Sequence, residues 1–308
     1  MSSTMEQDGE QGADAANTDE TDVIPWRDTL QKFICGGGTD GPITLPTSLQ
    51  SEDYNMKHPK RGICAIFNHK VFDNNLNLDE RTGTDVDAES LNKTFSDLGF
   101  HVVLCENHSK EQIKRTLAAL SKEDHEEHDC LVCCVLTHGG EGYIYARDKR
   151  ITVGDFVTPF LGSDCRGLVG KPKIFLIQAC RGDKMDKGTK VVTDSTDSAS
   201  VCKLPSHSDI LVCYSTIPGY LSWRNTDSGS WFVQALCKVL RERSHNTDLL
   251  SMMTVVNRYV AVCNESSSTK KKDCGMKQTP CVEHTLTRKI YFVSNMKEQV
   301  DDATGFAH

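Results

Sequence analysis

The stretch Lys171-Pro-Lys-Ile-Phe-Leu-Ile-Gln-Ala-Cys-Arg-Gly182 decides how this chain is read. Residues 174–177 form an unbroken apolar run of strand length, as expected of a strand covered on both faces. The run stops at Gln178, and Cys180 follows two residues later. In an open α/β sheet, the carboxyl ends of the strands form the edge that faces ligands. Cys180 therefore stands where a nucleophile could be presented. A lone cysteine also packs well as a small apolar residue in a core, and the segments around it have to decide.

Upstream, residues 63–67 read as a first strand. Residues 85–98 read as a helix with Val86, Leu91, Phe95 and Leu98 at helical spacing and Gly99 as its stop. Residues 101–105 form a second strand. A helix over 109–120 has Ser109 as N-cap and Ile113, Leu117 and Leu120 on one face. A continuous apolar third strand over 130–136 ends at Thr137-His138-Gly139-Gly140, and a helix over 153–161 leads into the 173–178 strand. Downstream, 210–214 reads as a strand, 230–241 and 248–263 as helices, and 288–293 as a last strand. Strands alternating with helices through short connections predict an α/β fold, with a mainly parallel sheet covered on both faces.

Three segments break this rhythm. Residues 1–54 lack periodicity and are rich in Gly, Thr, Asp and Pro, the composition of a disordered extension. Its Gly36-Gly-Gly38 follows no strand and precedes no Gly-Lys-Ser/Thr, so a phosphate cradle, and with it a nucleotide-binding α/β protein, has no support there. Residues 183–203 and 264–280 are polar loops of a length that in compact domains goes with function or disorder.

The net charge is −8 over 308 residues, and residues 1–22 carry seven acids and no Lys or Arg. The remainder is close to neutral, which gives no electrostatic footprint for nucleic acid. Lys270-Lys-Lys272 is the one basic run. No 18-residue apolar stretch predicts a membrane span. A polar, acidic start predicts no secretory signal, so the fourteen cysteines are expected as reduced thiols of a cytoplasmic protein. Cys130-Leu-Val-Cys133-Cys134 has a CxxC spacing, but it lies inside an apolar strand and is expected to pack in the core rather than hold a metal.

The strands ending at His138 and at Cys180 should open on one sheet edge, because crossovers between parallel strands are right-handed. A histidine there can take the thiol proton and later give it to a leaving amine. Gly139 and Cys180 could each offer a backbone N–H to a developing oxyanion.

Gln178-Ala-Cys-Arg-Gly182, with a His-Gly pair about forty residues upstream, resembles the signature of the caspase family. The resemblance covers residues 54–293. It includes Arg81-Thr-Gly-Thr-Asp-Val-Asp87, Tyr214-Ser-Thr-Ile-Pro-Gly219, Ser222-Trp-Arg-Asn225, Gly229-Ser-Trp-Phe232 and Gln278-Thr-Pro-Cys281. It implies a three-layer α/β/α fold with a mostly parallel six-stranded sheet, and a cysteine endopeptidase that cleaves after aspartate without metal or cofactor. The short extension resembles the executioner members, which act in apoptosis.

By the same resemblance, Cys180 is the nucleophile, His138 its acid–base partner, and Gly139 with Cys180 the oxyanion donors. Arg81, Gln178 and Arg224 wall the pocket for the substrate aspartate, while Leu221, Ser222, Trp223, Asn225 and Trp231 line the outer subsites of an Asp-x-x-Asp peptide. The pattern departs at Leu221, where an aromatic is usual, at the Ser- and Lys-rich residues 264–275, and at His-Gly-Gly-Glu, where His-Gly-Glu-Glu is commoner.

The resemblance also implies a zymogen. Residues 1–54 would be a short prodomain and extension cut after Asp22, which follows Asp19-Glu-Thr. Residues 55–194 would form the large subunit, 183–203 a linker cut after Asp194 or Asp197, 204–295 the small subunit and 296–308 a tail. The partners implied are protein substrates, a second copy joined through residues 288–293, an upstream initiator caspase and inhibitor-of-apoptosis proteins. The alternative is a catalytically silent relative that regulates an active partner.

Overall fold

A computed structural model describes residues 45–186, 207–266 and 274–292. Their frame is a six-stranded sheet. Five strands run parallel: β1 (Lys60–Asn68), β2 (His101–Glu106), β3 (His128–Leu136), β7 (Lys173–Gln178) and β8 (Ile210–Tyr214); β11 (Cys281–His284) closes the sheet antiparallel to β8. The spatial order is β11-β8-β7-β3-β1-β2. Between β3 and β7 lie the short strands β4 (Gly139–Gly140), β5 (Tyr143–Tyr145) and β6 (Arg150–Ile151), which form a small sheet of their own. The strands β9 (Arg224–Asn225) and β10 (Gly229–Ser230) make a two-residue hairpin ladder after β8.

Side-chain alternation divides the central strands between two cores. Cys64, Ile66, Val132, Cys134, Ile174 and Leu176 face one, and Ile63, Phe67, Leu131, Cys133, Phe175 and Ile177 face the other. The first core is covered by α1 (Thr84–Asp97), α4 (Trp231–Arg243) and α5 (Leu249–Cys263), through Leu91, Phe95, Leu236, Met252 and Val256. The second is covered by α2 (Lys110–Leu120) and α3 (Val153–Val157), through Ile113, Leu117 and Phe156. This is the three-layer α/β/α arrangement expected from the alternation of strand and helix. It also separates Cys133 from Cys130 and Cys134, which face opposite cores and are fully buried, as core packing requires.

The helix starts follow capping chemistry. Ser109 and Gln112 form a capping box on α2, Ser230 accepts from Val233 N–H on α4, and Asp248 accepts from Ser251 N–H on α5. Gly99, with φ +87°, ends the turn after α1.

Three expectations need correction. The helix expected over 153–161 stops at Val157 and tightens into a 3-10 turn over Thr158–Phe160, because Pro159 has no N–H to continue it. The first turn of α1 buries Thr84 and Asp87, not Val86, since it faces the sheet edge rather than the apolar core.

Residues 288–292 are not a strand of the sheet, and Val293 lies outside the described residues. Their backbone groups are used elsewhere: Lys289 exchanges bonds with Glu52 and Tyr54, and the Ile290 carbonyl accepts from Leu249 N–H at 2.9 Å. Ile290 and Phe292 are buried under α4 and α5, with Phe292 edge-on to Phe100 at 5.9 Å. The free sheet edge on that side is β11, so the side-by-side pairing expected through residues 288–293 has no strand there to use.

Candidate active site

Adjacent strands β3 and β7 end level with each other, Leu136 opposite Gln178, and Thr137 N–H donates to the Gln178 carbonyl at 3.0 Å. His138 and Cys180 thus leave the same carboxyl edge of the sheet, as their strand positions predicted. Gly139 runs against the Cys180 backbone so closely that a Cβ there would lie 2.4 Å from the Cys180 carbonyl oxygen. Any side chain would force the two segments apart. Tyr145 N–H donates to the His138 carbonyl at 2.9 Å, which leaves Gly139 in the non-hydrogen-bonded pairing with Ile144.

The Cys180 thiol lies under a strap of residues 219–223. Ser222 N–H donates to Sγ at 3.4 Å, and Sγ lies 3.9 Å from the Ser222 carbonyl. The strap is laced to the segment after Cys180: Arg181 N–H donates to the Tyr220 carbonyl at 3.0 Å, Gly219 N–H to the Arg181 carbonyl at 2.8 Å and Leu221 N–H to the Lys184 carbonyl at 2.9 Å. On the other side, the His138 imidazole bonds the Asp79 carbonyl through Nε2 at 2.8 Å. A carbonyl only accepts, so Nε2 carries the proton and Nδ1 is the basic nitrogen. Burial, and then the charges of Arg81 and Arg224, hold the imidazole below the ordinary histidine pKa. His138 stays a neutral base at physiological pH.

Arg81 is 1 % exposed and, among the described residues, makes no ion pair with a carboxylate. Its Nη1 donates to the His69 carbonyl at 3.0 Å and to Thr84 Oγ1 at 2.7 Å, while its buried Nε has no partner. Burial and the neighbouring Arg224 push its pKa down to about 9. Arg224 Nε donates to the Thr82 carbonyl at 2.8 Å, which brings the second guanidinium onto the loop that carries the first. Gly83 allows this approach: its φ is +81°, and a Cβ would meet the Asn225 and Thr226 carbonyls at 2.7 Å. Beside them Gln178 Nε2 donates to Ser222 Oγ at 2.9 Å, and its buried Oε1 is unpaired. Two cations with spare donors beside a thiol make a receptor for an anion.

The Caspase domain family matches residues 61–291. The chain belongs to the caspase family. Caspase-3 of Bos taurus is 40% identical over 78% of this chain and 88% of its own. Caspase-7 of Gallus gallus is 38% identical over 92% of this chain and 99% of its own. The crystal structure of Caspase-1 from Spodoptera frugiperda superposes with a TM-score of 0.76 at 40% identity, covering 82% of this chain and all of that one. As a caspase, the protein is a cysteine peptidase with the caspase-like α/β fold.

The residues expected to line outer subsites lie along the strap and the start of α4. Trp223 and Trp231 stack with ring centroids 6.0 Å apart and planes 25° apart. Asn225 Oδ1 accepts from Asp227 and Ser228 N–H at 2.8 and 3.0 Å, so its carbonyl oxygen holds its own turn and only its amide nitrogen is left to reach outward. Leu221 is half-buried on the strap. Asp22, Asp194 and Asp197 lie outside the described residues, as do residues 267–273 of the altered loop. Among the described residues, no helix is long and apolar enough to cross a membrane.

Four groups escaped the sequence reading. Asp87, its carboxyl pKa pushed up by burial, accepts from Ser230 N–H and Gln234 Nε2 and is in charge contact with both arginines. Gln278 clamps the strap: its Oε1 accepts from Trp223 N–H at 2.6 Å and its Nε2 donates to the Ser215 carbonyl at 2.7 Å. Both belong to motifs visible in the sequence, without a readable role. Asp79 acts through its carbonyl, and Phe72 lies with its ring centroid 5.0 Å from that of His138. Neither has a sequence signal.

Proposed function

We propose that this caspase is an aspartate-directed endopeptidase of the executioner type, made as a zymogen and acting in apoptosis. The observation that carries the reading is Arg81: a wholly buried guanidinium with no carboxylate ion-paired to it among the described residues, set beside Arg224 and Cys180. Leaving such a charge unpaired costs several kcal/mol unless a substrate group answers it. A carboxylate one methylene from the peptide backbone answers it, accepting from both guanidiniums and from the Gln178 amide.

His138 takes the Cys180 proton on Nδ1, and the thiolate attacks the main-chain carbonyl carbon of the substrate aspartate itself. The oxyanion accepts from the Gly139 and Cys180 N–H groups. His138 returns the proton to the departing amine, leaving a thioester. Water, giving its proton to His138, then attacks the thioester carbonyl, releases the acid and restores the thiol. Ser222, Trp223, Asn225, Trp231 and Leu221 line the outer subsites for a small apolar residue and a second aspartate.

The zymogen division follows the notional large subunit 55–194 and small subunit 204–295, with cuts after Asp194 or Asp197 in the 183–203 linker and after Asp22 in the 1–54 extension. The assembly is a homodimer of cleaved units joined at the free edge of β11, working in the cytoplasm on proteins with exposed Asp-x-x-Asp segments. Initiator caspases and inhibitor-of-apoptosis proteins are its expected regulators.

Peptides differing only in the residue before the scissile bond test the reading. Aspartate is expected to beat glutamate by about 10–200-fold, the worth of one misplaced methylene, and asparagine by more, since it leaves two guanidiniums unanswered. Arg81→Lys, which keeps a charge but loses the fork, should erase most of that preference. Equal cleavage after asparagine would overturn the pocket. Hydrolysis that survives Cys180→Ala would overturn the nucleophile, and absence of hydrolysis in the cleaved wild type would favour a silent regulator.

A further inference from the structure

We propose that Phe72 is a positioning residue for His138: its ring fixes the imidazole plane and stabilises the imidazolium that forms each time Cys180 gives up its proton. The proposal rests on the catalytic reading above. The Phe72 and His138 centroids are 5.0 Å apart with planes tilted by 42°. That is inside the roughly 6 Å at which an aromatic ring attracts a cation.

The ring has a second aromatic neighbour, His69, stacked at 6.5 Å and 23°. His69 is fully buried, bonds the His108 carbonyl through Nε2 at 3.1 Å and has its pKa pushed down by burial to about 4. It therefore stays neutral and does not compete as a cation for the same ring. The backbone around Phe72 is equally fixed. Lys70 and Val71 N–H both donate to Asn107 Oδ1, at 2.8 and 3.0 Å, and Asp73 N–H donates to the Arg147 carbonyl at 2.9 Å. The Arg147 and Asp73 side chains pair at 3.2 Å. The same loop carries Asp79, whose carbonyl holds Nε2. One loop thus sets the tautomer through a carbonyl and the ring plane through a phenyl group.

The energetic need is specific. Around His138, Arg81 and Arg224 oppose a positive charge, Asp79 favours it, His69 is neutral and Cys180 supplies the proton. The pocket that recognises an acidic side chain therefore penalises the imidazolium on which catalysis depends. An aromatic quadrupole offsets that penalty without adding a further carboxylate between His138 and the arginines, where it would compete with an acidic substrate group.

The sign of one measurement separates this role from simple apolar cover. In a Cys180→Ala background, the His138 imidazole is titrated by NMR with and without Phe72→Leu. Loss of a cation-stabilising ring lowers the pKa by about 0.4–1.5 units. Loss of mere cover raises it, because water then reaches the imidazolium. Phe72→Trp should restore or raise the pKa, and Phe72→Met reads the same shift if the leucine variant does not fold.

With Cys180 in place, Phe72→Leu should move the acid limb of kcat/KM in the same direction and lower kcat with little change in KM. An unchanged or raised His138 pKa in Phe72→Leu would falsify the proposal. Because the titration needs no turnover, it stands apart from any failure of the proteolytic reading, which the Cys180→Ala control reports separately.

Discussion

Arg81 and His138 make opposite demands on the charge around Cys180, and the residues between them are shaped by that conflict. Gly139 is the narrowest point. Its missing side chain lets the backbone pass the Cys180 carbonyl, and a methyl group there would have to displace that carbonyl. Gly139→Ala is expected to cost about 10²–10³-fold in kcat, the range for losing one oxyanion donor. Alkylation of Cys180 by iodoacetamide should fall far less than kcat, since Ser222 N–H still holds the thiol where the Cys180 carbonyl has to give. A parallel loss of alkylation would mean that the substitution disorders the nucleophile rather than the oxyanion site. At this scale, the sequence was most legible where chemistry demands a side chain: a thiol, an imidazole and a guanidinium each have no substitute. It was mute where a backbone atom or a ring face serves. Any residue could supply the Asp79 carbonyl, and an aromatic in a loop, like Phe72, has no periodicity to mark it.

Among the elements, the strap over Cys180 has little regular structure and depends on a few side chains for its position. Gln278 is the chief of these, 1 % exposed and bonded at both ends. Gln278→Ala would strand a buried carbonyl at Ser215 and an N–H at Trp223, a cost of about 2–4 kcal/mol at roughly 1–2 per unsatisfied group. The expected readout is a lower thermal midpoint together with a raised KM, because the stacked Trp223 and Trp231 lose their anchor. Gln278→Glu can still accept from Trp223 but cannot donate to Ser215, so it should fall between. A thermal loss with unchanged KM would show that the strap is held elsewhere. Strands β1, β3 and β7 were readable because burial on both faces leaves a continuous apolar run. Cys281–His284 was not, since an edge strand half in water carries no such run. Residues 288–292 have the apolar pattern of a strand and spend it on packing beneath two helices.

For the molecule as a whole, the alternation of strand and helix was enough to give the sheet and its two covered faces, while the cost of holding several histidines neutral became visible only with their burial. His69 shows the sign. Its pKa is about 6.5 in an unfolded chain and about 4 when folded, so between those values the unfolded chain binds a proton that the folded one refuses. Stability must therefore fall as pH drops through that window, by up to about 3 kcal/mol from this group. His125 and His128 act in the same direction: their Nδ1 atoms face each other at 3.0 Å, burial depresses both, and a second proton would set two N–H groups head to head. Asp85, held below the usual carboxylate range by its hydrogen bond to Lys70, contributes in the usual carboxylate way, with stability lost only below about pH 3.8. The urea midpoint is thus expected to decline from about pH 6.5 toward pH 4, with the Asp87 carboxyl, pushed up by burial, acting against the imidazoles at the acid end of that window. His69→Gln should flatten the curve by close to one proton's slope, whatever it does to stability at neutral pH. A midpoint flat down to pH 4, or a decline that His69→Gln leaves untouched, would mean that the buried imidazoles take up protons without opening the fold.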